Sequence, residues 1–213
     1  MSIPAKSSLL RVRNLRVDFP TRRGTLVAVD DVSFEIQAGE VLGVVGESGA
    51  GKSLTGAAII GLLEPPGRIS GGEVRLAGKR IDNLSQEQIR QIRGREIGMI
   101  FQDPLTSLNP LFRIGEQLTE TLQTHADSDE KSARKQAIDW LAEVGIPSPE
   151  VRIDQYPHQF SGGMRQRVVI ALALCANPKL IIADEPTTAL DVSIQAQIIS
   201  LLRRLCRENG TAV

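Results

Sequence analysis

Gly46-Glu47-Ser48-Gly49-Ala50-Gly51-Lys52-Ser53 is the stretch on which the fold turns. It fits G-x-x-x-x-G-K-[ST], a spacing in which glycines let the backbone bend so that successive N–H groups face an anion. Upstream, Val41 to Val45 is a continuous apolar run between Gly39 and Gly46, which predicts a short buried strand. Downstream, Lys52 to Leu63 has helical periodicity and stops at Pro65-Pro66-Gly67. Strand, glycine loop and helix, in that order, make a phosphate loop, because the helix adds the positive end of its dipole. Lys52 can reach terminal phosphates, and the Ser53 hydroxyl can take a place on Mg²⁺.

Before the loop the chain reads as strands. Leu10 and Val12, then Leu15, Val17 and Phe19, alternate with polar residues, as do Val32, Phe34 and Ile36. Thr21-Arg22-Arg23-Gly24 is a turn signal between them. Glu73 to Ala77 is another strand, closed by Ala77-Gly78, and Ile97 to Phe101 is strand-like. From Asp103 to Gln159 helical spacing takes over: Ile114, Leu118 and Leu122, then Ile138, Leu141 and Val144 after a polar opening from Asp127 to Lys135. Helix resumes at Met164 to Ala176, Leu180 to Ala183 is a buried strand, and Ile194, Ile198, Leu201, Leu202 and Leu205 form one helical stripe. Alternating buried strands and helices predict an α/β core.

Two further pieces point to a nucleotide. The strand Leu180 to Ala183 ends in Asp184-Glu185, and open α/β sheets present ligand groups at the carboxyl ends of their strands. Asp184 suits Mg²⁺, and Glu185 suits orienting or deprotonating an attacking water. Ser161-Gly162-Gly163 opens the helix at Met164 and makes a second anion-binding helix start. One nucleotide rarely needs two such nests, so this one is expected to serve the nucleotide of another copy of the fold.

Composition excludes several classes. Twenty-five basic residues balance twenty-five acidic ones and 41% of the 213 residues are apolar, which argues against a general basic field for nucleic acid and against disorder. The longest run without a polar side chain, Val168 to Ala176, is far short of the roughly 20 residues that a membrane helix needs. Met1 to Ser8 has no apolar segment of the secretory kind, and two cysteines, Cys175 and Cys206, make no disulfide framework. Both are expected to be small hydrophobes of a soluble, reducing-compartment protein. His125 and His158 have no evident catalytic partner, and Trp140 reads as packing.

The sequence resembles the ATP-binding subunits of ABC transporters from about residue 9 to its end. Gly46 to Ser53 matches the Walker A motif, Gln102 the Q-loop glutamine, Ser161 to Gln166 the signature motif (with Phe160 where leucine is usual), Asp184 and Glu185 Walker B, and Ala189-Leu190-Asp191 the D-loop. Phe19 falls where the family places an aromatic ring under adenine, a position equally suited to a strand-face core residue. The resemblance implies an α/β fold: a P-loop NTPase core with an N-terminal antiparallel β-subdomain and an inserted helical subdomain. It implies a single domain whose β-subdomain and core span 1–102 and 177–213 and whose helical part spans about 103–176. It implies ATP and Mg²⁺ as cofactors. Glu185 and Gln102 would be catalytic. Gly46, Glu47, Ser48, Gly49, Ala50, Gly51, Lys52, Ser53, Phe19, Ser161, Gly162 and Gly163 would contact nucleotide, and Ser53, Gln102 and Asp184 the metal.

Gln102-Asp103-Pro104-Leu105-Thr106-Ser107-Leu108-Asn109-Pro110 and Tyr156-Pro157-His158-Gln159-Phe160 resemble the subfamily serving dipeptide and oligopeptide importers, with nickel and glutathione importers carrying similar strings. The partners implied are two transmembrane permease subunits, a second ATP-binding subunit (identical or paralogous) and, indirectly, a solute-binding protein, with no nucleic acid. The location implied is peripheral, on the cytoplasmic face of the inner membrane. Docking is expected through the helical insertion, at exposed positions such as Glu116, Glu120 and Arg134. Fewer than sixty residues separate Gln102 from Ser161, without sustained heptads, unlike DNA-repair and chromosome-maintenance relatives with a long coiled coil there. After Asn209-Gly210, Thr211 to Val213 reads as a strand beginning. In the family that strand ends in a histidine on the γ-phosphate and an extension follows, so a truncated chain that hydrolyses ATP poorly is expected. A non-hydrolysing binding module is the alternative, against which Glu185 speaks.

Overall fold

The computed structural model describes residues 8–126, 128–188 and 190–213. The expectations for the first seven residues, for Asp127 and for Ala189 of the D-loop match lie outside the described residues. The chain divides into two compact units, one running to Arg93 and including Ala212–Val213, the other Gly94–Thr211.

In the first unit, β1 (Leu10–Thr21) is flanked by β2 (Gly24–Ile36) and β3 (Arg68–Leu76), and β4 (Lys79–Arg80) pairs with β3, giving the order β2-β1-β3-β4, all antiparallel. The two alternating runs at the start of the sequence are one strand with an interrupted register. Val12 faces Phe34 and Leu15 faces Val32, so β1 carries an extra residue. That bulge sits at Asn14, with φ 47°, its amide Nδ2 donating to Asp31 Oδ1 at 2.5 Å. Gly72 lies opposite, where a Cβ would collide with the carbonyl oxygens of Arg13 and Asn14. The fully buried Leu10, Val12, Leu15, Val17 and Val74 form the core face.

Helix α1 (Lys52–Ile59) is shorter than its apolar pattern. Gly61 turns left-handed at φ 69°, Leu62 N donates to Ala57 O and Gly61 N to Ala58 O, and this paired closure ends the helix before Leu63. Helix α2 (Gln86–Ile92) starts on a capping box between Ser85 and Gln88.

Val41 to Val45 is not the buried strand its composition suggests. The run has no strand geometry, and Val41, Val44 and Val45 are 55%, 59% and 97% exposed. A strand exists through ladder bonds to its neighbours. Leu42 N donates to Val213 O and Val213 N to Glu40 O, but among the described residues no backbone bond holds Gly43 to Val45. Val213 therefore pairs as a strand beginning would, at one end of the run only.

The second unit pairs β5 (Ile97–Ile100) with β6 (Leu180–Ala183) in parallel register, Ile97 opposite Leu180. Its helices are the short α3 (Pro104–Ser107), α4 (Ile114–His125), α5 (Glu130–Glu143), the short α6 (Pro149–Arg152), α7 (Gly162–Leu174) and α8 (Val192–Asn209). Helix α4 packs on α5 and α7 and buries Ile114, Leu118 and Leu122 completely. The buried face of α5 is Ala133, Ala137 and Leu141, continued by Val144, while Ile138 is only half-buried. The packed face is thus rotated from the one the large side chains mark. The stripe on α8 is buried from Ile198 to Leu205, and Gly210, with Thr211 N on Cys206 O, closes that helix.

Helix α7 lies so close to β5 that a Cβ on Gly98 would sit 2.6 Å from Ala173 O and 2.6 Å from Ile181 Cδ1. Backbone cannot yield as a flexible side chain does. Gly98→Ala is expected to cost about 1–3 kcal/mol and to lower the melting temperature by several degrees in a thermal unfolding scan. An unchanged melting temperature would show that β5 and α7 have slack. Cys175 and Cys206 are buried, and burial pushes their thiols up to about 12 and about 11, so both stay protonated and inert near neutral pH.

Candidate functional site

The phosphate loop belongs to the first unit. Ala50 N donates to Glu47 O at 3.2 Å, closing a turn whose third residue, Gly49, has φ 80°. Gly51 follows at φ 84°, and a Cβ there would stand 2.9 Å from Ala28 O and 3.2 Å from Val29 Cγ2. Both positions need glycine, for backbone reasons at Gly49 and for backbone and contact reasons at Gly51. Helix α1 then begins without a side-chain cap at Gly51. The Lys52 ammonium reaches back over the loop and donates to Gly46 O at 2.9 Å and Glu47 O at 3.0 Å. Gly46 to Ala50 are exposed, and Ser53 is exposed on the first helical turn. This is a bent, solvent-facing backbone with a lysine folded over it and a helix start beneath, a form suited to an anionic phosphate.

Phe19 is half-buried on β1, opposite Leu26, and its ring lies against Gly67, where a Cβ would come 2.7 Å from Cε1. The geometry is compatible with either of its two sequence-derived roles.

Gln102, Ser161, Asp184 and Glu185 belong to the second unit. Parallel pairing of β5 with β6 brings their carboxyl ends level, and Asp184 N extends the ladder by donating to Ile100 O at 2.9 Å. Gln102 Nε2 donates to Glu185 Oε2 at 3.1 Å across 83 positions of sequence. The glutamine that matches the Q-loop and the second carboxylate of the Walker B match are thus in direct contact. Glu185 is left-handed, φ 44°, a conformation that side chains other than glycine rarely adopt. Thr188 matches none of the motifs, yet its hydroxyl donates to the same Oε2 at 2.9 Å. Its signal in the sequence is a hydroxyl three residues after the acid, across Pro186.

Ser161 caps α7, accepting from Met164 N at 3.3 Å. Gly162 and Gly163 let α7 approach the start of α8: added Cβ atoms would stand 3.7 Å from Leu190 Cδ2 and 3.0 Å from Ile194 Cγ2. The His125 ring lies on Gly94, and burial with the nearby Arg95 charge holds its pKa below the usual range. His158 stacks on Tyr156 with centroids 5.7 Å apart.

The profile of the ABC transporter family matches residues 29–188. The chain belongs to the ABC transporter family. It is 52% identical over 206 residues to the oligopeptide transport ATP-binding protein OppD of Bacillus subtilis, covering 96% of this chain and 58% of that protein. It is 52% identical to OppD of Escherichia coli and 50% identical to the dipeptide transport ATP-binding protein DppD of Bacillus subtilis. This ABC chain spans about three fifths of the length of those relatives, 61% and 62% for the last two. Its fold superposes with TM-score 0.84 and 30% identity on the ATP-binding cassette MJ0796 in a dimeric post-hydrolysis state bound to ADP and Pi, covering 96% of this chain and 85% of that one. A TM-score of 0.79, again at 30% identity, relates it to cbiO1 of Clostridium perfringens, part of the ABC transporter complex cbiONQ, covering 96% of this chain and 76% of that one. The α/β fold expected from the motifs is therefore the fold of the family.

Proposed function

We propose that the chain binds and hydrolyses ATP as the energy-coupling subunit of an importer for dipeptides or oligopeptides. The observation that carries this reading is the Gly46–Ser53 loop folded around Lys52, in a chain 52% identical to relatives named for oligopeptide transport. Loop amides and Lys52 hold the β- and γ-phosphates, with Phe19 under the adenine. Ser53, Gln102 and Asp184 offer hydroxyl, amide and carboxylate oxygens, the hard donor set that Mg²⁺ prefers. When bound, that ion neutralises charge on the phosphate oxygens. Glu185 takes the proton of the attacking water, and its contact with Gln102 supports this placement. Ser161, Gly162 and Gly163 serve the nucleotide held by a second ATP-binding subunit.

No helix among the described residues is long and apolar enough to cross a membrane. Membrane attachment at the cytoplasmic face then comes through two permease subunits, and a solute-binding protein delivers the solute to them. Of the docking positions expected from sequence, Glu116 accepts from Arg113 N at 2.6 Å and caps α4, while Arg134 pairs with Asp154 at 3.0 Å. Both are tied to the unit's own structure. Glu120 is exposed on α4, so Glu120→Lys is the cleaner probe. It is expected to weaken co-purification with the permease subunits by several-fold while ATP affinity stays unchanged; equal co-purification would move the docking surface off this face of α4. The functional reading is tested by the ATPase rate of the assembled complex with solute-binding protein carrying peptide, nickel or glutathione. Stimulation by the peptide-loaded form supports the reading, and stimulation by another loaded form alone reassigns the solute.

A further inference from the structure

Thr188 carries no role in the reading above, yet it holds the group on which that reading depends. Its hydroxyl donates to Glu185 Oε2 at 2.9 Å, and its own N–H donates to Glu185 O at 3.2 Å. Residues 185–188 thus form one turn, opened by left-handed Glu185 and folded so that the hydroxyl of its last residue returns to the carboxylate of its first. Left-handed backbone at such a residue persists only where its surroundings over-determine it, and the two Thr188 bonds do so locally. Gln102 Nε2 reaches the same oxygen, but from the end of another strand. The Thr188 donor moves with the Glu185 backbone, whatever the segment after β5 does.

We propose that Thr188 is the positioning residue of Glu185, its hydroxyl fixing the direction of the carboxylate during hydrolysis. This rests on the reading of Glu185 as the base. A flexible glutamate samples several staggered rotamers, and small misplacement of a reacting group is costly in rate. The methyl and backbone of Thr188 have no part in the proposal, which is confined to the donor.

The test measures ATP turnover, KM for ATP and melting temperature for the full-length protein assembled in its complex, with Thr188→Val, Thr188→Ser and Glu185→Gln. Thr188→Val keeps the shape and removes the donor; turnover is expected to fall about tenfold, with KM and melting temperature little changed. Thr188→Ser keeps the donor and is expected to recover most of the lost turnover. Should Thr188→Val fail to assemble, Thr188→Ala is read in the same way. Wild-type turnover in Thr188→Val beside an inactive Glu185→Gln overturns the role of Thr188 alone. So does equal loss in the Val and Ser variants, or a loss that tracks melting temperature. Normal turnover in Glu185→Gln overturns the assignment of the base, and this proposal with it.

Discussion

Glu185→Gln, in the full-length protein assembled with its partners, is expected to cut ATP turnover by about 10²–10⁴-fold while leaving ATP affinity nearly unchanged. The amide keeps the size of the carboxylate and can still accept from Gln102 Nε2 and Thr188 Oγ1, which reach Glu185 at 3.1 and 2.9 Å. What it loses is the capacity to take a proton from water. Binding and chemistry should separate cleanly for that reason, and complexes loaded with ATP should accumulate. Phosphate release under saturating ATP and equilibrium nucleotide titration are the two measurements. A fall in turnover of less than about threefold would place the base elsewhere.

Lys52→Ala should act on the other side of that division. Hydrogen bonds to a charged group contribute about 1.5–3 kcal/mol, so ATP affinity is expected to weaken on the order of tenfold to a hundredfold in a fluorescent-nucleotide titration. Part of the effect is structural. The ammonium that would meet phosphate donates to Gly46 O and Glu47 O, bracing the turn that Ala50 N closes on Glu47 O. A thermal scan separates the two contributions, since a braced but exposed loop adds little to global stability. Undiminished affinity in a folded variant would remove Lys52 from the site.

Much of the site is legible in the sequence because its requirements are local. Gly49 and Gly51 are written where φ must be positive, Ser161 where a helix needs a cap, and Asp184 and Glu185 where an apolar strand stops. Local chemistry also announces the ends of helices, at Gly61 and at Gly210. What sequence leaves open depends on neighbours. The apolar run Val41 to Val45 says nothing about which strands will pair with it, and Val45 is 97% exposed. On α5, Ile138 outranks Ala133 and Ala137 by hydrophobicity, yet the alanines are buried and Ile138 is only half-buried. The bulge at Asn14 breaks one strand into two apparent ones. Thr188 is a turn residue like many others until the fold of that turn sets its hydroxyl on a carboxylate.

Uptake of labelled oligopeptide into vesicles that hold the full-length protein with its permease subunits, ATP being supplied on the side of this chain, bears most directly on the claim of ATP-driven import. Uptake should require hydrolysable ATP, stop with a non-hydrolysable analogue, and fall to background in Glu185→Gln. Peptide uptake that proceeds equally without ATP, or undiminished in Glu185→Gln, would contradict it.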